Sequence, residues 1–208
     1  MITLFIDTSL SKVCIAIVKD SNLLIKHERT FNNNMSKYLM TEIDTVFNNA
    51  KLKSSDIDNI VVGVGPGSFT GVRMGITFVK TFAYSQEIPV YQVSTLRCMA
   101  SSTKSDYIAA LIDARRDHVY GAIYNKKLEA VVNDQYISMT EMNELINKYQ
   151  SISIVTDFED SNYQEISYDP LKIIAVALDE EPINPHVLAP NYLKETQAER
   201  ELSEKRNS

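Results

Sequence analysis

With 208 residues, 44% of them hydrophobic, the chain can form one large domain or two small ones, with the apolar share of an ordinary globular protein. Its formal charge of −6 argues against a protein that binds RNA unaided, which is expected to carry a basic patch, and none is evident in the sequence. No run approaches the ~20 apolar residues of a membrane helix, and the start, Met1-Ile2-Thr3-Leu4, lacks the basic region and cleavage site of a signal peptide, so a cytoplasmic chain without a membrane segment is expected.

Ile2 to Asp7 is mostly apolar and reads as a central strand. Val13–Val18 and Leu23–Thr30 read as two more, joined by the turn Lys19-Asp20-Ser21-Asn22. Cys14 and Cys98 sit in apolar settings without metal-ligand spacing, which predicts reduced core thiols. After the polar Asn32-Asn33-Asn34, either Asn34 or Ser36 is expected to cap a helix running to about Ala50. Met35, Leu39, Ile43, Val46, Phe47 and Ala50 share one face of it.

Ile60-Val61-Val62 reads as a buried strand, and the stretch after it has an unusual composition. Five of the chain's 6 glycines, at 63, 65, 67, 71 and 75, fall between this strand and a periodic run from Val72 to Tyr84. Concentrated glycine marks a turn with close backbone approach or positive φ. A strand, a tight turn and a helix N-terminus also leave amide N–H groups that favour an anion. The spacing matches neither the phosphate-cradling loop, since Gly71 is followed by Val72 and Arg73, nor the dinucleotide fingerprint, nor a nucleophile elbow. The loop Gly65-Pro66-Gly67-Ser68-Phe69-Thr70-Gly71 can therefore equally be a structural turn capped by Ser68 or Thr70. The helix beyond it has two apolar stripes: Val72, Ile76, Val79 and Ala83 in one, Met74, Phe78 and Phe82 in the other. With Gly75 they span roughly 200°, against the ~100° needed to face one core. Either the domain's own helices cover both sides or the second stripe meets another chain, with Gly71 and Gly75 letting that neighbour come close.

Pro89–Val93 is a short strand, Ser94 caps a helix to about Ser101, and Ser101-Ser102-Thr103-Lys104-Ser105 reads as a linker. Tyr107–Ile112 and His118–Tyr124 are strands around the charged turn from Asp113 through Arg115 to Asp117. Met139–Tyr149 is a helix, Ile152–Thr156 a strand, and Pro170–Leu178 a helix with Pro in its first turn. The expected division is a first lobe over 1–103, a smaller second lobe over 104–188, and a segment 189–208 packing back on the first lobe with a frayed end. His27, His118 and His186 lack a helical i, i+4 partner, and no metal site is expected.

The run Gly65-Pro66-Gly67-Ser68-Phe69-Thr70-Gly71-Val72-Arg73 resembles the signature of the TsaB (YeaZ) family. Ile6-Asp7-Thr8-Ser9, Val93-Ser94-Thr95-Leu96, Asp113-Ala114-Arg115 and Pro190-Asn191-Tyr192-Leu193-Lys194 match in the same order, so the resemblance covers nearly the whole chain. It implies an α/β protein of actin-like ATPase/sugar kinase (RNase H-like) fold, with two lobes of mixed sheets flanked by helices. It implies a non-catalytic scaffold that dimerises with TsaD, with TsaE as a third component. The complex carries out threonylcarbamoyl transfer to adenosine 37 of tRNA, and this chain meets tRNA only through it. In active actin-like proteins an acidic residue at the end of the first strand helps hold metal and phosphate. Here Asp7 and Thr8, with Asp113 and Arg115, can form a vestigial cleft or simply cap turns. The family usually has His where Met35 stands, and Met35 is no ligand for such a metal.

The second half holds Gly121 alone, so half of a nucleotide site is missing, and no cofactor is expected beyond residual nucleotide at the level of the complex. The scaffold reading places the partner surface at Met35, Leu39, Met40, Phe47, Met74, Phe78 and Phe82, a surface on which a free chain could also form a homodimer. Two alternatives stand beside it. A weak nucleotide hydrolase or phosphotransferase is disfavoured by the missing glycines. A degenerate metalloprotease-like hydrolase is disfavoured by the absence of a His-x-x-x-His pair.

Overall fold

The computed structural model describes residues 1–31, 34–158 and 163–194. Strands β1 (Ile2–Asp7), β2 (Lys12–Lys19) and β3 (Asn22–Thr30) form an antiparallel meander. Helix α1 (Met35–Ala50), strand β4 (Asn59–Gly63), helix α2 (Phe69–Gln86) and strand β5 (Val90–Val93) complete a five-stranded sheet of order β3-β2-β1-β4-β5, in which β4 runs parallel to β1 and to β5. Helix α3 (Thr95–Ala100) leads to the second sheet: β6 (Tyr107–Asp113), β7 (His118–Asn125), β8 (Ala130–Ser138), helix α4 (Met139–Ile146) and β9 (Ile152–Thr156), of order β8-β7-β6-β9. Helix α5 (Pro170–Leu178) comes last. Both sheets read third-second-first-fourth, the duplicated topology of the actin-like fold, although the sequence shows no repeat of fixed period.

The unbroken apolar run of β1 has a physical reason. Leu4, Phe5 and Ile6 are all 0% exposed, because both faces of the sheet are covered. Leu4 and Ile6 join Ile60 and Val62 in a core under α1 and α2, while Phe5 and Val61 point into a core between the sheets. A third core, around Leu111, Ile123 and Met142, lies under α4. The middle core holds α3, which packs on β6, β7 and β9, and α5, which packs on β1, β2, β3 and β5. A division at 104 thus parts the sheets but not the core. α5, numbered within the second lobe, rests on the first sheet, because two inner apolar faces can be sealed only by sharing the layer between them.

Several element ends differ from their sequence expectations. Asn34 holds the cap position of α1 with a left-handed φ of 68° and no side-chain bond, so neither Asn34 nor Ser36 caps it through a side chain. α2 begins at Phe69, three residues before the periodic run, and α4 stops at Ile146 rather than Tyr149. β8 has no counterpart in the sequence reading. Residues 188–194 return to the first lobe: Leu188 joins the core under α1 and α2, and the Asn191 N–H donates to the Val64 carbonyl at 2.8 Å. The expected frayed end at 195–208 lies outside the described residues.

Candidate functional site: a partner groove beside a closed glycine loop

The glycine loop grips its own chain. A Cβ added at Gly63 would overlap the Asp7 carboxyl. At Gly67 it would overlap the Ser9 carbonyl oxygen, at Gly71 that of Thr8, and at Gly75 the Thr8 hydroxyl. These four glycines therefore form a trough for residues 7–9, and Gly65 supplies the left-handed turn at φ +90°. Three of the amides that could cradle an anion are in use. Ser68 N–H donates to Ser9 O at 2.7 Å, Gly71 N–H to the capping Ser68 Oγ at 3.3 Å, and Gly65 N–H to Thr95 Oγ1 at 3.2 Å. The neighbour that Gly71 and Gly75 admit is thus Thr8 of the same chain, whose hydroxyl donates to Gly71 O at 2.6 Å, and not a partner.

Asp7 is 1% exposed and lies at the centre of this clasp. Ser9 N–H donates to its Oδ1 at 2.8 Å, Thr95 Oγ1 lies 2.9 Å and Tyr168 OH 3.4 Å from its Oδ2, and Thr95 Oγ1 also lies 2.8 Å from Ser9 Oγ. The set is satisfied either by Thr95 donating to Asp7 and accepting from Ser9 Oγ, or by a protonated Asp7 donating to Thr95, which then donates to Ser9 Oγ. Burial pushes the Asp7 carboxyl up, against the lowering hydrogen bonds from Ser9, Thr95 and Tyr168. Between the ordinary carboxylate value of 3.8 and the raised one, the folded chain holds a proton that the unfolded chain lacks. The residue's contribution to stability therefore falls as pH rises through that window. Asp7→Asn, which keeps a donor permanently, is expected to gain melting temperature relative to the parent as pH rises from about 4 to about 7. A calorimetric difference that stays flat across that range would rule out a protonated Asp7.

Asp113 and Arg115 are exposed and lie in the turn after β6, where Arg115 N–H donates to Asp113 Oδ1 at 2.7 Å and Asp113 N–H to Asp157 Oδ1 at 3.0 Å. Burial raises the Asp157 carboxyl. Of the four cleft residues, two are sealed inside the first lobe and two cap a surface turn of the second. Between the lobes, Ser94 and Tyr124 both donate to Asp134, and Arg97 pairs with Glu180 at 2.5 Å, in a cleft also lined by Gln92, Asn133 and Asn191. Among the described residues no group of three His, Cys, Asp or Glu converges as a metal site would.

The two stripes of α2 part company. Val72, Ile76, Val79 and Ala83 are buried in the core below, whereas Met74, Phe78 and Phe82 are half-buried and open onto a groove of about 760 Å³ between α1 and α2. Leu39 and Met40 line its other wall, Met40 at 56% exposure. Phe82 lies against Phe78 at 5.4 Å between centroids and against Phe47 at 6.0 Å. Phe47 thus supports the groove wall from behind, and Met35 packs against the core below. Thr77, Thr81 and Ser85 form a polar rim that the sequence reading did not single out, although they recur at the helical spacing of that face. Glu42 was also not legible. It is 4% exposed on α1 and accepts hydrogen bonds from His27 Nε2 at 2.6 Å and from Arg29, which pins α1 to β3.

This geometry defines an actin-like two-lobed protein whose glycine loop clasps its own backbone while an apolar groove stands open beside it. Residues 29–178 match the family described as TsaD: tRNA N6-adenosine threonylcarbamoyltransferase. The tRNA threonylcarbamoyladenosine biosynthesis protein TsaB of Bacillus subtilis is 28% identical over 96% of both chains. That of Haemophilus influenzae is 32% identical over 56% of this chain and 51% of its own. A Pseudomonas aeruginosa crystal structure described as similar to the peptidase YeaZ superposes with a TM-score of 0.75 at 22% identity, covering 93% of this chain and 99% of that one. The chain belongs to this threonylcarbamoyladenosine (t6A) biosynthesis family, in its TsaB (YeaZ) branch.

Proposed function

We propose that the chain is a non-catalytic scaffold subunit that seats a TsaD-type transferase on the groove between α1 and α2, in the cytoplasm, with TsaE as a further component. Threonylcarbamoyl transfer to tRNA then takes place on the partner. The observation that carries this reading is the second stripe of α2. Met74, Phe78 and Phe82, with Leu39 and Met40 opposite, leave a large apolar groove on the surface of the described chain, and contiguous exposed apolar surface of this kind marks interaction sites. The glycine loop supports the non-catalytic half of the reading, since three of its amides, those of Gly65, Ser68 and Gly71, are spent within the chain.

Light scattering on the chain mixed with TsaD tests it. A stable species at the summed mass is expected. Separate species at about 10 µM of each, weaker than a typical specific complex, would overturn it. Alone, the chain is expected to form a homodimer through the same groove, which TsaD dissociates. Calorimetry with Mg-ATP is expected to show no binding below the millimolar range. Micromolar affinity with turnover abolished by Asp7→Ala would replace the scaffold with a hydrolase.

A further inference from the structure

The sequence shows no basic patch, yet the fold assembles a cation–aromatic track from four separate stretches. At the start of α2, Phe69 is 55% exposed and stacks on Tyr192, 49% exposed, with centroids 5.9 Å apart and planes at 26°. The Arg73 guanidinium lies 3.7 Å from the centre of the Phe69 ring, and its Nε donates to Tyr192 OH at 2.7 Å. Two residues after Tyr192, Lys194 Nζ sits 4.6 Å over Tyr136 of β8. Tyr136 in turn stacks on His118 at 4.7 Å and 13°. Phe69, Tyr120, Tyr192 and Lys194 line one small cavity of about 40 Å³, which joins the two halves of the track. Arg115 and Arg116 extend it in the exposed turn just before His118, where the Arg116 carbonyl meets His118 Nδ1 at 2.8 Å.

Among the described residues, Arg73, Arg115, Arg116 and Lys194 enter no ion pair. The carboxylates beside the track are Asp113, which accepts from the Arg115 amide, Glu141, which accepts from Ser138, and Asp117. Rings and cations thus stand together on the surface, and the cations have no carboxylate partner among the described residues. They form the combination that holds single-stranded nucleic acid, in which bases stack on the rings and cations neutralise phosphates. A duplex, with its bases already stacked, cannot use the rings.

We propose that the surface formed by Tyr192, Lys194, Tyr136 and His118, adjoining the end of the α1–α2 groove that Phe69 and Arg73 also line, is a contact site for single-stranded RNA. The choice of RNA rests on the function proposed above. The site deepens that function by giving the scaffold its own hold on the unpaired loop of the substrate, weak in isolation because the whole chain carries −6.

The test is fluorescence anisotropy with the full chain and a labelled RNA hairpin bearing a seven-nucleotide unpaired loop, against a blunt duplex of the same stem. Binding to the hairpin and not to the duplex is expected at 50 mM salt. If two phosphates are neutralised, binding should weaken about sevenfold on going to 200 mM. Tyr192→Ala removes one stacking ring and should weaken binding by roughly fivefold or more. Lys194→Glu should act similarly and flatten the salt dependence. Tyr192 is exposed and Lys194 half-buried, and circular dichroism melts check that both variants are folded. No binding at 100 µM protein, equal binding to hairpin and duplex, or variants that bind like the parent would each overturn the proposal. The same variants mixed with TsaD separate this idea from the scaffold itself. Lys194→Glu should keep TsaD while losing RNA. Loss of TsaD with RNA binding intact would make the track a protein contact and refute the RNA site.

Discussion

Gly71→Ala is expected to destabilise the chain by at least about 3 kcal/mol, a fall of roughly 6–12 °C in melting temperature for a protein of this size. The added methyl would occupy the position of the Thr8 carbonyl oxygen. That oxygen cannot retreat, because Thr8 continues directly from β1, whose residues pair on one side with β2 and on the other with β4. Thr8 is also 0% exposed, and its hydroxyl is bonded to Gly71 O. The substitution must therefore push the first turn of α2 away from the sheet, which uncovers Val72 and Ile76. Gly67→Val should act similarly, since its side chain would strike the Ser9 backbone. If the loop instead served a ligand or a partner directly, Gly71→Ala would melt like the parent and lose only the activity of the complex. Differential scanning calorimetry of the isolated chain distinguishes the two outcomes.

The same loop shows how far the sequence could be read. Five glycines in one stretch announced close backbone approach, and that was sound, but composition cannot say what approaches. The answer is Thr8, some sixty residues earlier, brought there by the parallel pairing of β1 with β4. Strands with strong apolar runs, such as Ile2–Asp7 and Ile60–Val62, were legible because both their faces are buried. β8 was not. Its residues Val131-Val132-Asn133-Asp134-Gln135-Tyr136 mix β-branched with polar residues, for it is the edge strand of its sheet and pairs only with β7. The sharing of α3 and α5 between the sheets was likewise hidden, because an apolar helix face does not name the sheet that it will cover. The track from Phe69 to His118 draws on residues more than a hundred positions apart, beyond the reach of any local pattern.

Phe78→Glu is expected to weaken association with TsaD by at least about 100-fold while leaving the chain folded. Two faces of α2 make these effects separable. Val79, the adjacent residue, is 0% exposed and points into the core, so a charge there would unfold the lobe. Phe78 opens onto the groove instead, where a carboxylate in the free chain stays in water. Its cost to the isolated protein comes from lost contact with Phe82, whose ring lies 5.4 Å away, about 1 kcal/mol, and from the loss of its part-buried packing on the core below. In the complex the same carboxylate would be desolvated against apolar partner surface, at the centre of the groove where anchoring aromatics carry most of the binding energy. Tenfold in affinity corresponds to about 1.4 kcal/mol, so losing one such anchor, worth upwards of about 2 kcal/mol, and burying an unpaired charge together exceed a hundredfold. Met40→Glu, on the opposite wall at 56% exposure, should reproduce the loss at still smaller cost to the fold. Lys194→Glu, outside the groove, should not. Tm by circular dichroism and affinity by titration calorimetry give the two readouts. A Phe78→Glu chain that melts within about 5 °C of the parent and binds TsaD with unchanged affinity would remove the groove from the interface, whatever Met40→Glu shows.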